Sequence, residues 1–220
     1  MDITVIGTGN VGRTLAAGLA GAGHTVTLAS RTPDRADLTE WGAGAGVGLG
    51  PIAASTSGAE AVVLATSWDG VPEAVTAAGA GGALDGKVLI DVTNPLRFTD
   101  RLELAVGHTD SGGETVQRLA PGARVVKAFN TVGWELMVAP AVAGGPPTMF
   151  VAGDDPEARA VAAGLAGALG WGVHDCGDLR AARLLEPMAL VWIEHALRTG
   201  DRSHAFRLLG SEAAGGAVAP

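Results

Sequence analysis

Apolar residues along the chain fall into short, uninterrupted runs, separated by glycine-rich turns and by stretches whose apolar positions recur every three to four residues. Runs at 3–6, 25–29, 61–66, 87–92, 125–129, 148–152 and 171–175 have the length and β-rich composition of strands. Several lack alternation, as strands covered on both faces do. Between them, helical spacing and good helix formers predict helices at 11–22, 33–41, 70–78, 113–119 and 157–169, the last capped by Asp154 or Asp155. The Gly/Ala tract at 42–50 has no period and is expected to be a loop. An apolar helix over about 179–197, kinked or restarted at Pro187, leads into a polar, Gly-rich tail. Alternating strands and helices predict an α/β fold, a Rossmann-type doubly wound, mostly parallel sheet with a small C-terminal helical extension.

The first unit carries a candidate ligand loop. Strand 3–6 runs directly into Gly7-Thr8-Gly9-Asn10-Val11-Gly12, which opens the first helix; the turn at Gly23-His24 and the run at 25–29 then complete one βαβ unit. In that context the three glycines have distinct jobs. The first permits a tight turn, the second lets the backbone approach a pyrophosphate, and the third allows close packing of helix on strand. Free N–H groups and the positive end of the helix then face the anion.

Which dinucleotide is expected turns on the end of the second strand, where an Asp or Glu would accept hydrogen bonds from the ribose 2′-OH of NAD. Ser30 stands there, followed by Arg31 and Arg35, and Asp34 lies too far along to serve as the ribose acid. A hydroxyl and two guanidinium groups suit a 2′-phosphate. Two charge-assisted bonds predict NADP(H) over NAD(H) by about a hundredfold. No composition break marks a linker, so residues 1–220 are expected to form a single NADP-binding Rossmann domain with a C-terminal helical segment at about 177–210.

Composition removes several classes of partner. A net charge of −8 and a pI near 5.0 argue against an electrostatic hold on nucleic acid or anionic membrane. The uncharged stretch at 136–153 is broken by Pro140, Gly144, Gly145, Pro146 and Pro147 into pieces too short to cross a bilayer. The start has no basic region followed by an apolar one, so no secretory signal is expected. Cys176 is the only cysteine, which excludes an intrachain disulfide and a multi-cysteine metal site and points to a cytoplasmic location.

Ligands of such sheets bind beyond the carboxyl ends of the strands. The tips there are Thr66-Ser67-Trp68-Asp69, Thr93-Asn94-Pro95-Leu96 and Asn130-Thr131-Val132-Gly133. They are candidates for the nicotinamide end, and equally ordinary turns, because Asn, Pro and Gly are common turn residues.

With these motifs in view, the chain resembles the NADPH-dependent reductases of the deazaflavin coenzyme F420 and their bacterial relatives. The resemblance rests on the loop from Ile6 to Gly12, Ser30-Arg31, Asp91-Val92-Thr93-Asn94-Pro95-Leu96 and Lys127-Ala128-Phe129-Asn130-Thr131, and continues over 150–155, 175–183 and 185–189. It implies NADP held by Thr8, Ser30, Arg31 and Arg35 at the 2′-phosphate end, with the nicotinamide near Trp68, Asn94 and Pro95. Thr66, Ser67, Asn130 and Thr131 complete the expected cofactor-binding set. It also implies coenzyme F420 stacked in the cleft between the sheet and the C-terminal part, with direct hydride transfer between nicotinamide C4 and deazaflavin C5. The cofactors carry that reactivity, so no catalytic acid or base is expected, although Asn94 and Asn130 are candidates to polarise ring carbonyls. Arg97 and Arg101 are candidates for the anionic tail. Related flavin-using ferric reductases share the Asn130 region and the Gly-Asp-Leu to Ala-Arg segment. An NADPH-dependent reductase of a flavin or small metabolite therefore remains an alternative, as does a dinucleotide-binding protein without turnover.

Other residues are expected to be structural. His24, His108, His174, His195 and His204 include no pair at metal-ligand spacing, so no metal is expected. Cys176 reads as a packed residue with no base paired to it. The helix carrying Leu184, Leu185, Met188, Leu190, Val191, Trp192 and Ile193 is apolar on more than one face, which predicts a homodimer, the alternative being a helix fully buried within one subunit.

Overall fold

A computed structural model describes residues 1–210; the end of the Gly-rich tail lies outside the described residues. The chain runs β1 (Asp2–Ile6), α1 (Asn10–Gly21), β2 (Thr25–Ser30), α2 (Ala36–Ala45), β3 (Gly48–Pro51), α3 (Ile52–Gly58), β4 (Ala61–Leu64), α4 (Val71–Ala78) and β5 (Val88–Asp91). A hairpin follows, β6 (Leu96–Phe98) and β7 (Leu102–Leu104), then α5 (Gly112–Leu119), β8 (Arg124–Lys127), β9 (Thr148–Gly153), α6 (Pro156–Ala168), β10 (Gly172–Asp175) and α7 (Ala182–Thr199).

Eight strands form one sheet in the order β10-β9-β8-β5-β4-β1-β2-β3. All neighbours are parallel except β8 and β9, which pair antiparallel at Val126↔Gly153 and Lys127↔Ala152. The direction reverses there because the chain between those strands carries only a single 3-10 turn at Trp134–Leu136, and an antiparallel return needs no crossover helix.

Alternation along the strands divides the core between the two faces of the sheet. Ile3, Val5, Ala61, Val63 and Ile90 pack with Leu15 and Leu19 of α1 and Leu165 of α6. Ile6, Val62, Leu64 and Leu89 pack on the opposite face with Val71 and Val75 of α4 and Val116 of α5. β4 and β5 are buried throughout, which is why their sequences read as unbroken apolar runs.

The expected loop at 42–50 is overturned. α2 begins at Ala36 and extends to Ala45, Gly46 ends it with a φ of 66°, and Gly48–Pro51 forms the edge strand β3, pairing Leu28↔Leu49. Only β2 supplies the register for so glycine-rich a strand, so local pattern gave no sign of it. α3 and the β6/β7 hairpin were likewise not anticipated. Asp155 rather than Asp154 caps α6, accepting from Ala158 N–H at 2.7 Å, while Asp154 accepts from Leu179 N–H at 2.9 Å. α7 is one helix running through Pro187, without a restart.

Candidate functional site

At the carboxyl edge of β1 the three loop glycines are set apart by what surrounds them. Gly7 has a φ of 128°, and a Cβ there would collide with the Ala65 carbonyl. A Cβ on Gly12 would overlap the Gly7 carbonyl, so that position is glycine for helix-to-loop packing. Gly9 is different. Its φ of −76° and ψ of −178° suit any residue, and a Cβ would meet nothing within 4 Å. Nothing among the described residues requires glycine here; the free space in front of α1 is the feature that glycine preserves.

α1 starts at that space without a side-chain cap. Its first hydrogen bond runs from Arg13 N–H to the Gly9 carbonyl at 3.0 Å, so the N–H groups ahead of it face out of the helix end. Arg13 Nε donates to the Thr8 carbonyl at 3.0 Å and braces the loop from the side.

A cavity of about 360 Å³ opens between this loop, the end of β2 and α4. Gly7, Thr8, Gly9, Ser30, Thr66 and Ser67 line it over an apolar floor, with Arg31 and Arg35 at the rim. Both guanidinium groups hold carboxylates: Arg31 bonds Glu73 at 2.9 Å, and Arg35 bonds the two oxygens of Asp37 at 3.0 and 2.8 Å. Arg13 reaches the same Asp37 at 2.6 Å. Hydrogen bonds from Arg35 and then Arg13 pull the Asp37 carboxyl down to about 2. These pairs are solvent-exposed and correspondingly weak, so a more highly charged anion can replace the carboxylates.

A second cavity of about 310 Å³ continues past Ala65, Thr66 and Ser67, which line both, to Trp68, Thr93 and Asn94. The Thr66 hydroxyl, at the junction, is buried and finds no hydrogen-bond partner among the described residues. Asn94 Nδ2 donates to the Asn130 carbonyl at 2.8 Å, and Asn130 Nδ2 donates both to Asn94 Oδ1 at 3.0 Å and to the Leu185 carbonyl at 3.0 Å. Asn130 therefore has no amide hydrogen left to polarise a ring carbonyl, which corrects that part of the expectation; it holds Asn94 in place from behind. Phe129, just before it, has a φ of 59°, a strained conformation that aims the Asn130 segment toward Asn94.

Not every expected residue lines these cavities. Pro95, Asn130 and Thr131 are buried behind the wall, Gly12 is a packing residue, and Asn10 opens onto a groove on the far flank of α1 beside Arg13 and Trp41. Arg97 and Arg101 lie on the hairpin, each near Glu103, at 3.4 and 3.9 Å.

Sequence reasoning missed the charged cluster beneath the site. Lys127 is fully buried, 2.7 Å from Asp91 and 2.8 Å from Glu186, and donates to the Thr93 carbonyl at 2.8 Å. Burial alone would push its ammonium pKa down, but Asp91 and Glu186 outweigh that and hold it above the ordinary lysine value. Glu186 in turn accepts from the N–H groups of Gly112 and Gly113 at 2.8 and 2.9 Å, filling the amino end of α5. The available signal was a lysine inside an apolar strand and a glutamate inside an apolar helix. Cys176 is half-buried, and burial pushes its thiol pKa up, away from nucleophilic reactivity.

Sheet order, glycine loop and paired cavities define the class: a protein with the Rossmann fold of dinucleotide-dependent oxidoreductases. Residues 2–95 match the family model described as NADP oxidoreductase, coenzyme F420-dependent. A crystal structure of a protein from Arthrobacter sp. FB24, assigned as an F420-dependent NADP-reductase, is 41% identical, with a TM-score of 0.89 over 96% of this chain and 100% of that one. A hypothetical protein from Sinorhizobium meliloti is 29% identical, with a TM-score of 0.70 over 83% of this chain and 87% of its own. The metalloreductase STEAP3 of Rattus norvegicus is 31% identical over 86% of this chain, which spans only 36% of that protein's length. The chain belongs to the coenzyme F420-dependent NADP oxidoreductase family. Among the described residues, no helix is long and apolar enough to cross a membrane.

Proposed function

We propose that the chain is an oxidoreductase that brings NADP(H) and a deazaflavin of the coenzyme F420 type together for hydride transfer. The observation that carries this reading is the open space at Gly9, which faces an uncapped helix end and a cavity with two exchangeable guanidinium groups at its rim. In this reading the α1 amides take the pyrophosphate, and Ser30, Arg31 and Arg35 take the 2′-phosphate, with Glu73 and Asp37 giving way. Thr66 and Asn94 line the nicotinamide end, and the buried Thr66 hydroxyl gains the partner it otherwise lacks. Trp68 and Leu96, which line the second cavity beside Thr93 and Asn94, are read as the apolar side of the nicotinamide end. When bound, the two cofactors supply the hydride donor and acceptor carbons, so the chain contributes orientation and shielding rather than an acid or base.

A flavin is the second reading for the acceptor, from the resemblance of the Asn130 region and the Gly177-Asp178-Leu179 to Ala182-Arg183 segment to flavin-using ferric reductases. Absorbance of reduced nicotinamide separates the two: NADPH oxidation with the deazaflavin and not with FMN supports the first, the converse the second, and binding without oxidation refutes both. A lone cysteine and small soluble cofactors fit a cytoplasmic protein. The exposed apolar stripe of α7, with Leu184 and Val191, favours a homodimer.

A further inference from the structure

After α7 the chain turns at Gly200, whose φ is 75°, and the following segment returns toward the helix. That return gathers His195 from the helix with Asp201 and His204 from the segment. One nitrogen or oxygen from each lies within 4.8 Å of the others, and the His195 and His204 rings are 4.5 Å apart, edge to face. Two of the five histidines that looked scattered in sequence, His195 and His204, thus meet in space, because the turn at Gly200 creates a proximity that helical spacing does not encode.

His204 is held in one orientation. Its ring stacks on Trp192 at 4.6 Å with planes 19° apart, and its Nε2 lies 3.3 Å from the Trp192 carbonyl oxygen. A carbonyl can only accept, so Nε2 carries the proton and Nδ1 presents a lone pair. Nδ1 is buried and has no hydrogen-bond partner among the described residues. An imidazole anchored through one N–H to a backbone carbonyl, with the other nitrogen bare, is the arrangement found in metal-bound histidine. Asp201 is oriented too: Oδ1 accepts from the N–H and hydroxyl of Ser203 at 2.7 and 2.5 Å.

We infer that His195, Asp201 and His204 form a site for a divalent first-row transition ion, with zinc the best match to two imidazoles and a carboxylate, and a fourth position open to water. Neighbouring ligands of a tetrahedral ion sit about 3.4 Å apart for bonds of about 2.0–2.1 Å, so the side chains close by about an ångström on loading. None of the three lines the dinucleotide cavities, so the site stands apart from the proposed redox chemistry. Loading would pin the returning segment to α7. The same segment is tied to β9, where Thr148 N–H donates to the Phe206 carbonyl at 2.9 Å and Leu208 N–H to the Thr148 hydroxyl at 3.0 Å.

The test uses the untagged full chain, stripped with chelator and titrated with Zn²⁺ alone by calorimetry and thermal denaturation. The expected result is one ion per chain and a midpoint rise of about 5–10 °C at a hundredfold excess over Kd. His195→Gln and Asp201→Asn leave the Trp192 stack intact; each should weaken binding at least about tenfold and remove most of the shift. Cobalt substitution should give the intense visible bands of a four-coordinate ion in the native chain and not in His195→Gln. No saturable binding at micromolar zinc overturns the assignment, as does equal binding by the His195→Gln, Asp201→Asn double variant.

Discussion

Replacing Gly9 with alanine separates ligand geometry from folding within a single motif. The added methyl meets no atom within 4 Å, and the backbone at φ −76° accepts it without strain. Two small terms act on stability in opposite directions. Losing glycine at a helix N-cap costs about 0.5–1 kcal/mol, while restricting the unfolded chain contributes about 0.4–1 kcal/mol. The net change therefore stays within about 1 kcal/mol, or about 4 °C in Tm for a chain of this size. Binding has no such cancellation, because the methyl occupies the space through which the pyrophosphate must reach the α1 amides. Losing one charge-assisted bond of about 1.5–3 kcal/mol raises the NADPH Kd about tenfold to a hundredfold. Gly12→Ala should instead unfold or strongly destabilise the chain, since its methyl overlaps the Gly7 carbonyl. Fluorescence titration with NADPH beside thermal denaturation of both variants reads the contrast. A Gly9→Ala protein that binds NADPH like the native chain would refute the pyrophosphate assignment, and one that fails to fold would refute the packing argument.

The rim arginines should discriminate between dinucleotides: Arg31→Ala with Arg35→Ala raises the NADPH Kd about a hundredfold while NADH changes by less than about twofold, and equal losses by titration would sink the 2′-phosphate assignment. Glu73→Gln frees Arg31 from its carboxylate and should tighten NADPH binding a few-fold by about the worth of an exposed pair. Lys127→Met strands two buried carboxylates and should cost about 3–5 kcal/mol in urea unfolding. Since the Lys127 pKa is raised above 10.5, its stabilisation of the native chain is complete below that pH and fades only as pH rises through the folded-state value, so native stability should show no loss from this group between about pH 6 and 9. Leu184→Asp with Val191→Asp should halve the mass seen by light scattering, and a native chain of monomer mass at micromolar concentration would contradict the dimer outright.

The parts of the fold legible in sequence were those where burial writes itself locally. β4 and β5 are buried on both faces and appear as continuous apolar runs, and the loop of Gly7, Gly9 and Gly12 was readable because strand, turn and helix follow without interruption. β3 was hidden because its pairing with β2 is tertiary and half of its residues are glycine. At the site, sequence nominated Asn94 and Asn130 together but gave no way to see that the amide hydrogens of Asn130 are spent on Asn94 and Leu185. A lysine and a glutamate inside apolar elements hinted at the Lys127, Asp91 and Glu186 cluster, but not at who pairs with whom, since its members come from two strands and a helix far apart in the chain.

That cluster determines which wall of the cleft can yield. Lys127 clasps the Thr93 carbonyl and Glu186 at once, and Asn130 clasps the Leu185 carbonyl, so the ends of β5 and β8 and the last helix behave as one riveted plate with dry fastenings. A bulky acceptor ring cannot prise that plate open without stranding charge in the interior. The β6/β7 hairpin leaves the end of β5 and packs through β7 on that same last helix, so it extends the plate, with Phe98 near its tip standing 72% exposed.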